Sequence, residues 1–191
     1  MAINLQKGAN ANLSREAPGL SRVLIGLGWN ARSTSGDDFD LDASAFLLSE
    51  SGKVRSDSDF IFYNNKRSAD GSVEHKGDNR TGAGDGDDEV LSVNLLTVPG
   101  DVTKVAFAVT IHDAEARRQS FGQISGAFIR VIDEGSSKEL VRYDLSEDFS
   151  TETALIFGEL YRHQGEWKFR AVGQGYRGGL MELLKNFGLE V

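Results

Sequence analysis

The sequence predicts a mainly β protein, folded as a two-sheet β-sandwich with a few short helices. Short segments in which apolar and polar side chains alternate with a period of two are typical of strands that bury one face. Turn signals separate these segments, and the chain contains 22 glycines but only 2 prolines. A similar order of segments recurs at an offset of about 82 residues, which predicts an internal pseudo-repeat.

The first half of the chain supplies five of these segments. Residues 3–13 alternate weakly around a Lys-Gly turn and predict a hairpin at a sheet edge. Residues 23–29 are almost entirely apolar and predict a buried strand. Residues 39–48 alternate strictly at their start, and shorter strands are expected at residues 60–63 and 90–95.

The second half of the chain resembles the first. The matching pairs are residues 23–29 with 105–111, 39–48 with 121–130, and 60–63 with 140–143. Two sheet-forming halves of this kind predict a sandwich with internal pseudo-symmetry.

The last part of the chain predicts a hairpin followed by a helix. Residues 154–162 and 167–172 are strand-like and flank a glycine-containing turn. Leu180, Leu183 and Phe187 have the spacing of an amphipathic C-terminal helix. We expect one domain, residues 1–191, because a chain of this length is most simply one unit with a single core.

Composition restricts the classes of function. The net charge of −8 disfavours nucleic acids and anionic membranes as partners, since both attract basic surfaces, and it favours cations. The absence of cysteine excludes disulfides, thiolate metal sites and thiol catalysis. The N-terminal residues lack the apolar run of a signal peptide, and no stretch is long and apolar enough to insert into a bilayer. We therefore expect a cytoplasmic protein.

Residues 78–89 form an acidic, glycine-rich segment with the sequence Asp-Asn-Arg-Thr-Gly-Ala-Gly-Asp-Gly-Asp-Asp-Glu. Glycine lets the backbone curl tightly and turn its carbonyls toward one point. Two carboxylates ~5 Å apart repel each other by roughly 3 kcal/mol, and a divalent cation between them reverses the sign of that energy. Calcium takes about 6–8 oxygen ligands from carboxylates, carbonyls and water. The segment therefore predicts a calcium site.

A solvated acidic loop is the alternative interpretation of this segment. The alternation of glycine with acid, and a second acidic cluster upstream, favour metal binding instead. The segment has the length of an EF-hand loop but not its pattern, because Arg80, Gly82 and Ala83 occupy the third, fifth and sixth positions. We therefore predict a calcium site of another kind.

The upstream acidic cluster is Asp38, Asp40 and Asp42, which share one face of a predicted strand. Aspartate is depleted in strands, so three on one face are an unusual choice for a purely structural surface. The second copy of the repeat has Gly122 and Ile124 at the positions of Asp40 and Asp42. The scaffold thus accepts neutral residues there, which favours a ligand role for the acids over an exposed polar face.

Other motifs carry little weight. Residues 173–178 match G-x-G-x-x-G, but too few residues follow for the returning strand of a dinucleotide site, and a strand-to-helix turn is the simpler interpretation. The three histidines lack the spacing of a zinc site, and no nucleophile elbow is present. We expect Asp113 to cap a short helix. The sequence therefore predicts a protein without catalytic activity.

Several long motifs resemble one family. They are residues 26–29 (Gly-Leu-Gly-Trp), 38–47 (Asp-Phe-Asp-Leu-Asp-Ala-Ser-Ala-Phe-Leu), 60–65 (Phe-Ile-Phe-Tyr-Asn-Asn), 77–82 with 84–89, and 157–162 (Phe-Gly-Glu-Leu-Tyr-Arg). Together they closely resemble the TerD family of bacterial tellurium-resistance and general stress proteins, nearly from end to end. The family often has Asp after Gly-Leu-Gly-Trp, where this chain has Asn30.

The resemblance implies a cytoplasmic, non-enzymatic β-sandwich that binds calcium through the acidic segments. It also implies a role in resistance to tellurite and other chemical stress. The expected partners are a membrane-embedded Ter-type protein of the same gene cluster, which would bring the chain to the inner face of the membrane, and other family members.

The residues and the resemblance together define a set of metal ligands, sufficient in number for two calcium ions. The predicted ligands are Asp40, Asp42, Asp78, Asn79, Gly82, Asp85, Asp87, Asp88 and Glu89. It stays open whether further ligands come from Asn30, Asp37, Asp38 and Asp113.

Two other functions stay open. The chain could be a calcium-dependent interaction or scaffold module, whose ion bridges to the oxygens of a protein or glycan ligand. A metal-dependent hydrolase would require an identifiable base, and the sequence shows none.

Overall fold

The computed structural model describes residues 1–31, 35–77 and 86–190. In this part of the chain, twelve strands form two six-stranded sheets. The mainly β, two-sheet architecture predicted from the sequence is confirmed. Sheet I contains, in spatial order, β1 (Ile3–Asn4), β10 (Lys138–Asp144), β9 (Phe128–Asp133), β3 (Arg22–Gly28), β7 (Glu89–Asn94) and β6 (Val73–Gly77). Sheet II contains β2 (Asn10–Asn12), β12 (Glu166–Tyr176), β11 (Ala154–His163), β8 (Lys104–Ile111), β4 (Leu41–Leu48) and β5 (Phe60–Ile61).

The helices are short. They are α1 (Leu13–Glu16), α2 (Ala114–Arg117) and α3 (Gly179–Asn186), with 3-10 turns at Asp57–Asp59 and Phe121–Gln123. Among the helices of the described residues, only α3 has the length and spacing to cover a sheet, and it is the C-terminal helix expected from the sequence. Within the described ranges there is no helix whose length and apolarity would allow it to cross a bilayer.

The two sheets pack face to face around one core. Alternation along each strand decides which side chains enter it: Ile25 and Leu27 of β3 meet Leu41 and Ala43 of β4 in the same buried cluster. Between Leu41 and Ala43, the side chain of Asp42 points outward. The alternation seen in the sequence therefore predicts which residues fill this core.

The two predicted repeats are interleaved. In the first copy, β3 lies in sheet I while β4 and β5 lie in sheet II; in the second copy, β8 lies in sheet II while β9 and β10 lie in sheet I. Each copy therefore pairs with the other, because β3 is hydrogen-bonded to β9 and β4 to β8. The order β10-β9-β3 in one sheet matches β5-β4-β8 in the other, as the predicted pseudo-symmetry requires.

The edge hairpin predicted for residues 3–13 is wrong, although both of its strands are edge strands. β1 runs parallel to β10 in sheet I, with Ile3 opposite Val141. β2 pairs with β12 in sheet II, with Ala11 opposite Phe169. The buried Leu5 lies between them, and the segment crosses from one sheet to the other. Weak alternation predicts that residues form strands but not which strands they pair with, and each strand here pairs with one far along the chain.

The two sheets differ on their outer faces. On sheet II, α3 places Leu183 and Phe187 against Phe46, Ala108 and neighbouring side chains in a second apolar cluster. The outer face of sheet I has no covering helix in the described part of the chain. The hairpin of β11 and β12 is as predicted, and the G-x-G-x-x-G residues run along the end of β12 into the turn before α3.

Candidate functional site

One end of the sandwich collects the acidic residues that the sequence singles out. The strand register places Glu89 beside Leu27, at the start of β7 and the end of β3. Leu41 lies beside Ile111 in the same way, at the start of β4 and the end of β8. Residues 112–127 connect the two sheets at this end. We call it the acidic end.

The connecting residues hold the acidic end together through backbone hydrogen bonds. The His112 N–H donates to the Asp40 carbonyl oxygen at 2.8 Å. The Asn30 N–H donates to the Ser125 carbonyl oxygen at 2.9 Å, and the Asn30 amide lies 3.3 Å from the Ser125 hydroxyl. Asn30 therefore joins two loops. From the sequence, a ligand role for this residue had stayed open.

Three of the predicted ligands are buried carboxylates. Asp40, Asp88 and Glu89 are 7%, 8% and 1% exposed. Burying an ionised carboxylate is costly unless hydrogen bonds, an opposite charge or a metal ion compensates. Three such groups at one end of a sandwich are therefore a strong departure from ordinary core composition.

Asp88 and Glu89 have defined protein contacts. The Asp88 N–H donates to the Leu27 carbonyl oxygen at 2.8 Å, and Asp88 Oδ2 accepts the Trp29 N–H at 2.9 Å. Glu89 shares the inward face of β7 with the core residues of that strand, and its Oε2 lies 2.9 Å from Nε2 of the buried His75. Sequence reasoning missed His75, although its place two residues after Val73 on an alternating strand indicates that it points inward.

Asp87 points to a different surface, the outer face of sheet I. Its carboxylate makes a bidentate pair with Arg130, with Nε–Oδ1 at 2.7 Å and Nη2–Oδ2 at 3.0 Å. Gly26 makes this possible, because a side-chain carbon at that position would overlap the Asp87 carboxylate. Hydrogen bonding to Asp87 raises the pKa of Arg130 against the opposing effect of burial, and Glu139 adds to the rise. The guanidinium thus competes with any metal for Asp87.

Asp42 points to a third surface, the outer face of sheet II. Its Oδ2 lies 3.8 Å from Nδ1 of His112, whose Nε2 is 3.3 Å from Asp113 Oδ2. Asp113 occupies the N-cap position of α2 but makes no capping hydrogen bond, so the capping role predicted for it is wrong. Its backbone is left-handed, with a φ of 50°, and its side chain is directed to His112 instead.

The backbone of the upstream acidic cluster is held by a side chain that sequence reasoning missed. Gln119 is buried, and its Nε2 donates to the carbonyl oxygens of Asp37 at 2.8 Å and Asp38 at 3.3 Å. Arg117 reaches the same Asp38 carbonyl at 3.4 Å. No local signal marks Gln119, because its role depends on carbonyls far away in the sequence.

The structure thus distributes the predicted ligands. Asp40, Asp88 and Glu89 are buried at the acidic end, whereas Asp42 and Asp87 face the outer surfaces of opposite sheets. The predicted ligands Asp78, Asn79, Gly82 and Asp85 lie outside the described residues. Within those residues, no three histidine or acidic side chains lie close enough together to hold a metal ion.

The fold and this end of it define a class of protein: a two-sheet β-sandwich with an acidic, glycine-rich segment between two strands of one sheet. The TerD domain model matches residues 1–187. The chain belongs to the TerD family.

Named relatives agree with this assignment. Tellurium resistance protein TerD of Serratia marcescens is 66% identical over 189 residues, covering 99% of this chain and 98% of that protein. General stress protein 16U of Bacillus subtilis (strain 168) is 56% identical, with 100% of both chains covered.

Solved structures share the fold at lower identity. A crystal structure of a homologue of telluride resistance protein (TerD) from Streptomyces coelicolor A3(2) superposes with a TM-score of 0.67 at 23% identity, covering 86% of this chain and 95% of that chain. A crystal structure of a protein of unknown function superposes with a TM-score of 0.73 at 22% identity, covering 91% and 99%.

Proposed function

We propose that this chain is a calcium-binding, non-enzymatic stress protein that contributes to resistance to tellurite and general chemical stress. The stress role is supported by its relatives, which are named for tellurium resistance and for the general stress response. The calcium role is supported by the chemistry of the acidic end.

The observation that carries the calcium proposal is the burial of Asp40, Asp88 and Glu89 at one end of the sandwich. All three offer carboxylate oxygens, the donors that calcium prefers. β6 ends at Gly77 and β7 begins at Glu89, so the acidic segment joins two neighbouring strands at this end. Buried acids beside an acidic, glycine-rich connection fit a hard cation better than they fit a solvated loop.

The residues have different roles in this proposal. Asp88 and Glu89, at the start of β7, would hold the ion together with Asp78, Asn79, Gly82 and Asp85 of the same segment. Asp40 would serve from the other sheet. A bound calcium ion supplies positive charge that compensates these carboxylates.

Asp42 and Asp87 fit the same ion less well, because they face outer surfaces of opposite sheets. Asp42 would belong to a second ion, if two are bound. Asp87 would act through Arg130, by fixing the start of β7 over Gly26.

The physiological setting belongs to the same proposal. The chain would act in the cytoplasm and reach the inner face of the membrane through a membrane-embedded Ter-type partner. Complementation tests this role: a strain lacking the gene should regain tellurite survival with the wild-type chain. The Asp88→Asn/Glu89→Gln chain should restore much less survival, and equal restoration would separate the stress role from calcium.

Thermal unfolding tests calcium binding directly. At a free calcium concentration of one hundred times Kd, binding stabilises the folded state by about 2.7 kcal/mol, or roughly 5–10 °C in Tm for a chain of this size. We expect this rise with calcium and its reversal with EDTA. Asp88→Asn and Glu89→Gln should each remove most of it, and no rise at millimolar calcium would contradict the proposal.

Asp59 provides the matched control. It is another buried carboxylate, 3% exposed, but it lies at the opposite end of the sandwich and is paired with Arg55 at 2.8 Å. Asp59→Asn should lower Tm both with and without calcium and leave the difference between the two unchanged. If Asp59→Asn abolishes the calcium-dependent rise as well, the effect is general to stability and does not report a site.

A further inference from the structure

A cavity of about 190 Å³ opens on the outer face of sheet II, beside the N-terminal turn of α3. Its floor is formed by β4 and β8 and one wall by β5 and the residues that follow it. Leu180 of α3 forms part of the opposite wall and is itself 39% exposed. The cavity is separate from the buried carboxylates Asp40, Asp88 and Glu89, none of which lines it.

One wall of this cavity is aromatic. The rings of Phe60 and Phe62 are stacked, with centroids 4.4 Å apart and planes at 13°. Tyr63 stands edge-on to Phe62 at 5.3 Å, and all three residues line the cavity. Aromatic faces carry a negative quadrupole and attract cations, most effectively where water is partly excluded.

The floor contains a buried polar group that the fold does not use. Ser44 lines the cavity, is 4% exposed, and its hydroxyl oxygen has no hydrogen-bond partner among the residues that the structure describes. Buried hydroxyls are normally hydrogen-bonded, because leaving one unsatisfied costs free energy. A serine in this position is explained by a ligand that supplies the missing donor.

The rim is acidic. Asp42 and Asp113 both line the cavity, with His112 between them at 3.8 Å and 3.3 Å. His112 offsets at most one of the two negative charges when it is protonated. Glu182 of α3 accepts the Gly178 N–H at 2.8 Å, so the start of the helix also carries its own negative charge. The field at the cavity therefore favours a positively charged ligand.

We propose that this cavity binds a small organic ammonium ion with an apolar body about the size of one ring. A cavity of roughly 150 Å³ is enough to hold benzene, so this cavity admits one ring with a short aminomethyl arm. The apolar body packs between Phe62 and Leu180. The ammonium group donates to the Ser44 hydroxyl and is attracted by the carboxylates at the rim.

This ligand class explains the lining better than the alternatives do. A bare metal ion has no use for three aromatic rings and a leucine, because hard cations require a shell of oxygens. A carboxylate or phosphate ligand would meet Asp42 and Asp113 with like charge. A neutral ring would gain nothing from the carboxylates of Asp42 and Asp113.

The experiment is a titration of the full chain followed by 1H–15N NMR, with benzylammonium as the probe. Benzyl alcohol and benzoate serve as neutral and anionic probes of nearly the same shape. Benzylammonium should shift the amide signals of Ser44, Thr110 and Tyr63 and bind about tenfold more tightly than benzyl alcohol. Benzoate should not bind. Equal binding of the three probes, or no shifts up to about 10 mM benzylammonium, would overturn the proposal.

Three variants locate the effect. Leu180→Trp closes the mouth of the cavity and should abolish the shifts, whereas Met181→Trp, at an exposed neighbour that does not line it, should leave them intact. Asp113→Asn keeps a residue that tolerates left-handed backbone, removes one charge, and should weaken benzylammonium about threefold while leaving benzyl alcohol unchanged. Undiminished binding to Leu180→Trp would place the probe elsewhere and refute the assignment.

The titration is repeated in EDTA and in calcium. Because Asp42 would also hold a second calcium ion in the proposed function, benzylammonium should bind most tightly in EDTA and more weakly in calcium. Binding of the probe without any calcium-dependent rise in Tm would support this site and reject the calcium proposal, and the reverse result would do the opposite.

Discussion

The outer faces of the two sheets are stabilised in different ways, although the sheets have matching strand orders. The outer face of sheet II lies under α3, where Phe46 and Ala108 are fully buried in an apolar cluster. On the outer face of sheet I, Arg130 joins Asp87 and Glu139, and the Arg142 guanidinium lies 4.0 Å from the centre of the Phe128 ring. The pseudo-repeat therefore fixes the pairing of the strands but leaves each outer face free to specialise.

The difference also explains where glycine is needed. On sheet I, Gly26 and Gly28 leave room on the outer face of β3 for the Asp87 carboxylate and the Phe128 ring. On sheet II, the matching strand β8 has Ala106 and Ala108 on its outer face, which pack under the helix cluster. An open face filled by side chains from its own sheet and a face covered by a helix require different residues on the same kind of strand.

Removal of a helix anchor from sheet II should have the largest effect. Leu183 is fully buried in the cluster under α3, so Leu183→Ala should lower the free energy of unfolding by about 3 kcal/mol. Urea unfolding measures this change. Met181→Ala, at a 51% exposed position on the same helix, should change it by less than about 0.5 kcal/mol. If both variants lose the same free energy of unfolding, α3 stabilises the protein as an intact helix and not through the buried Leu183 side chain.

The ion pair on sheet I should contribute less. Arg130→Met leaves the Asp87 carboxylate, with a side chain only 10% exposed, without its bidentate partner, and should cost about 2 kcal/mol. A double-mutant cycle with Asp87→Asn should give a coupling energy of about 1–2 kcal/mol, measured by urea unfolding. A coupling energy near zero would mean that the open face is not stabilised by this pair.

The close approach at Gly26 allows a sharper test of the same face. Gly26→Ala should cost roughly 1–3 kcal/mol, because its methyl group would overlap the Asp87 carboxylate. In an Asp87→Ala background the same substitution should cost less than about 0.5 kcal/mol, since the overlapping group is gone. If the cost is the same in both backgrounds, glycine is required at position 26 for its backbone conformation and not for the space that it leaves.

The smallest expected effect is a dependence of stability on alkaline pH at the covered face. Burial, followed by the charge of Glu182, raises the pKa of the Tyr176 phenol. The neutral phenol contributes its full stabilisation below the pKa of Tyr176 in the unfolded state, which is near 10. This stabilisation is lost as the pH rises toward the higher pKa of the folded state, by at most about 1.4 kcal/mol per pH unit. Between pH 10 and 11, the wild type should therefore lose more stability than the Tyr176→Phe variant. If the stability of the wild type and of Tyr176→Phe falls equally with pH, the assignment of this pH dependence to Tyr176 is contradicted.

Much of the fold can be predicted from the sequence, because burial of one strand face imposes a period of two. Most of the strands, the β11–β12 hairpin and α3 follow from local patterns. The match of residues 121–130 to the strand at 39–48 is wrong in its first part, because Phe121–Gln123 form a 3-10 turn and β9 begins only at Phe128. The hairpin expected for residues 3–13 does not form, since Ile3 and Ala11 pair with strands of different sheets. No local pattern contains that information.

The candidate site can be predicted less completely. An excess of acid over base in residues 78–89 and 37–42 is visible in the sequence, but the direction of each side chain is not. Asp87 and Asp88 are neighbours, yet one faces Arg130 on an outer surface and the other accepts the Trp29 N–H. The partners Arg130, His75 and Gln119 come from other strands and loops, so only the fold can bring them together.

The interleaving of the two repeats has a consequence for biosynthesis. During translation, β3 leaves the ribosome long before β9, the strand with which it must pair, and β4 likewise precedes β8. Neither copy can complete a sheet while the other is still being made. A nascent chain stalled between the copies would expose unsatisfied strand edges, and such a species should depend on a holding chaperone until synthesis resumes.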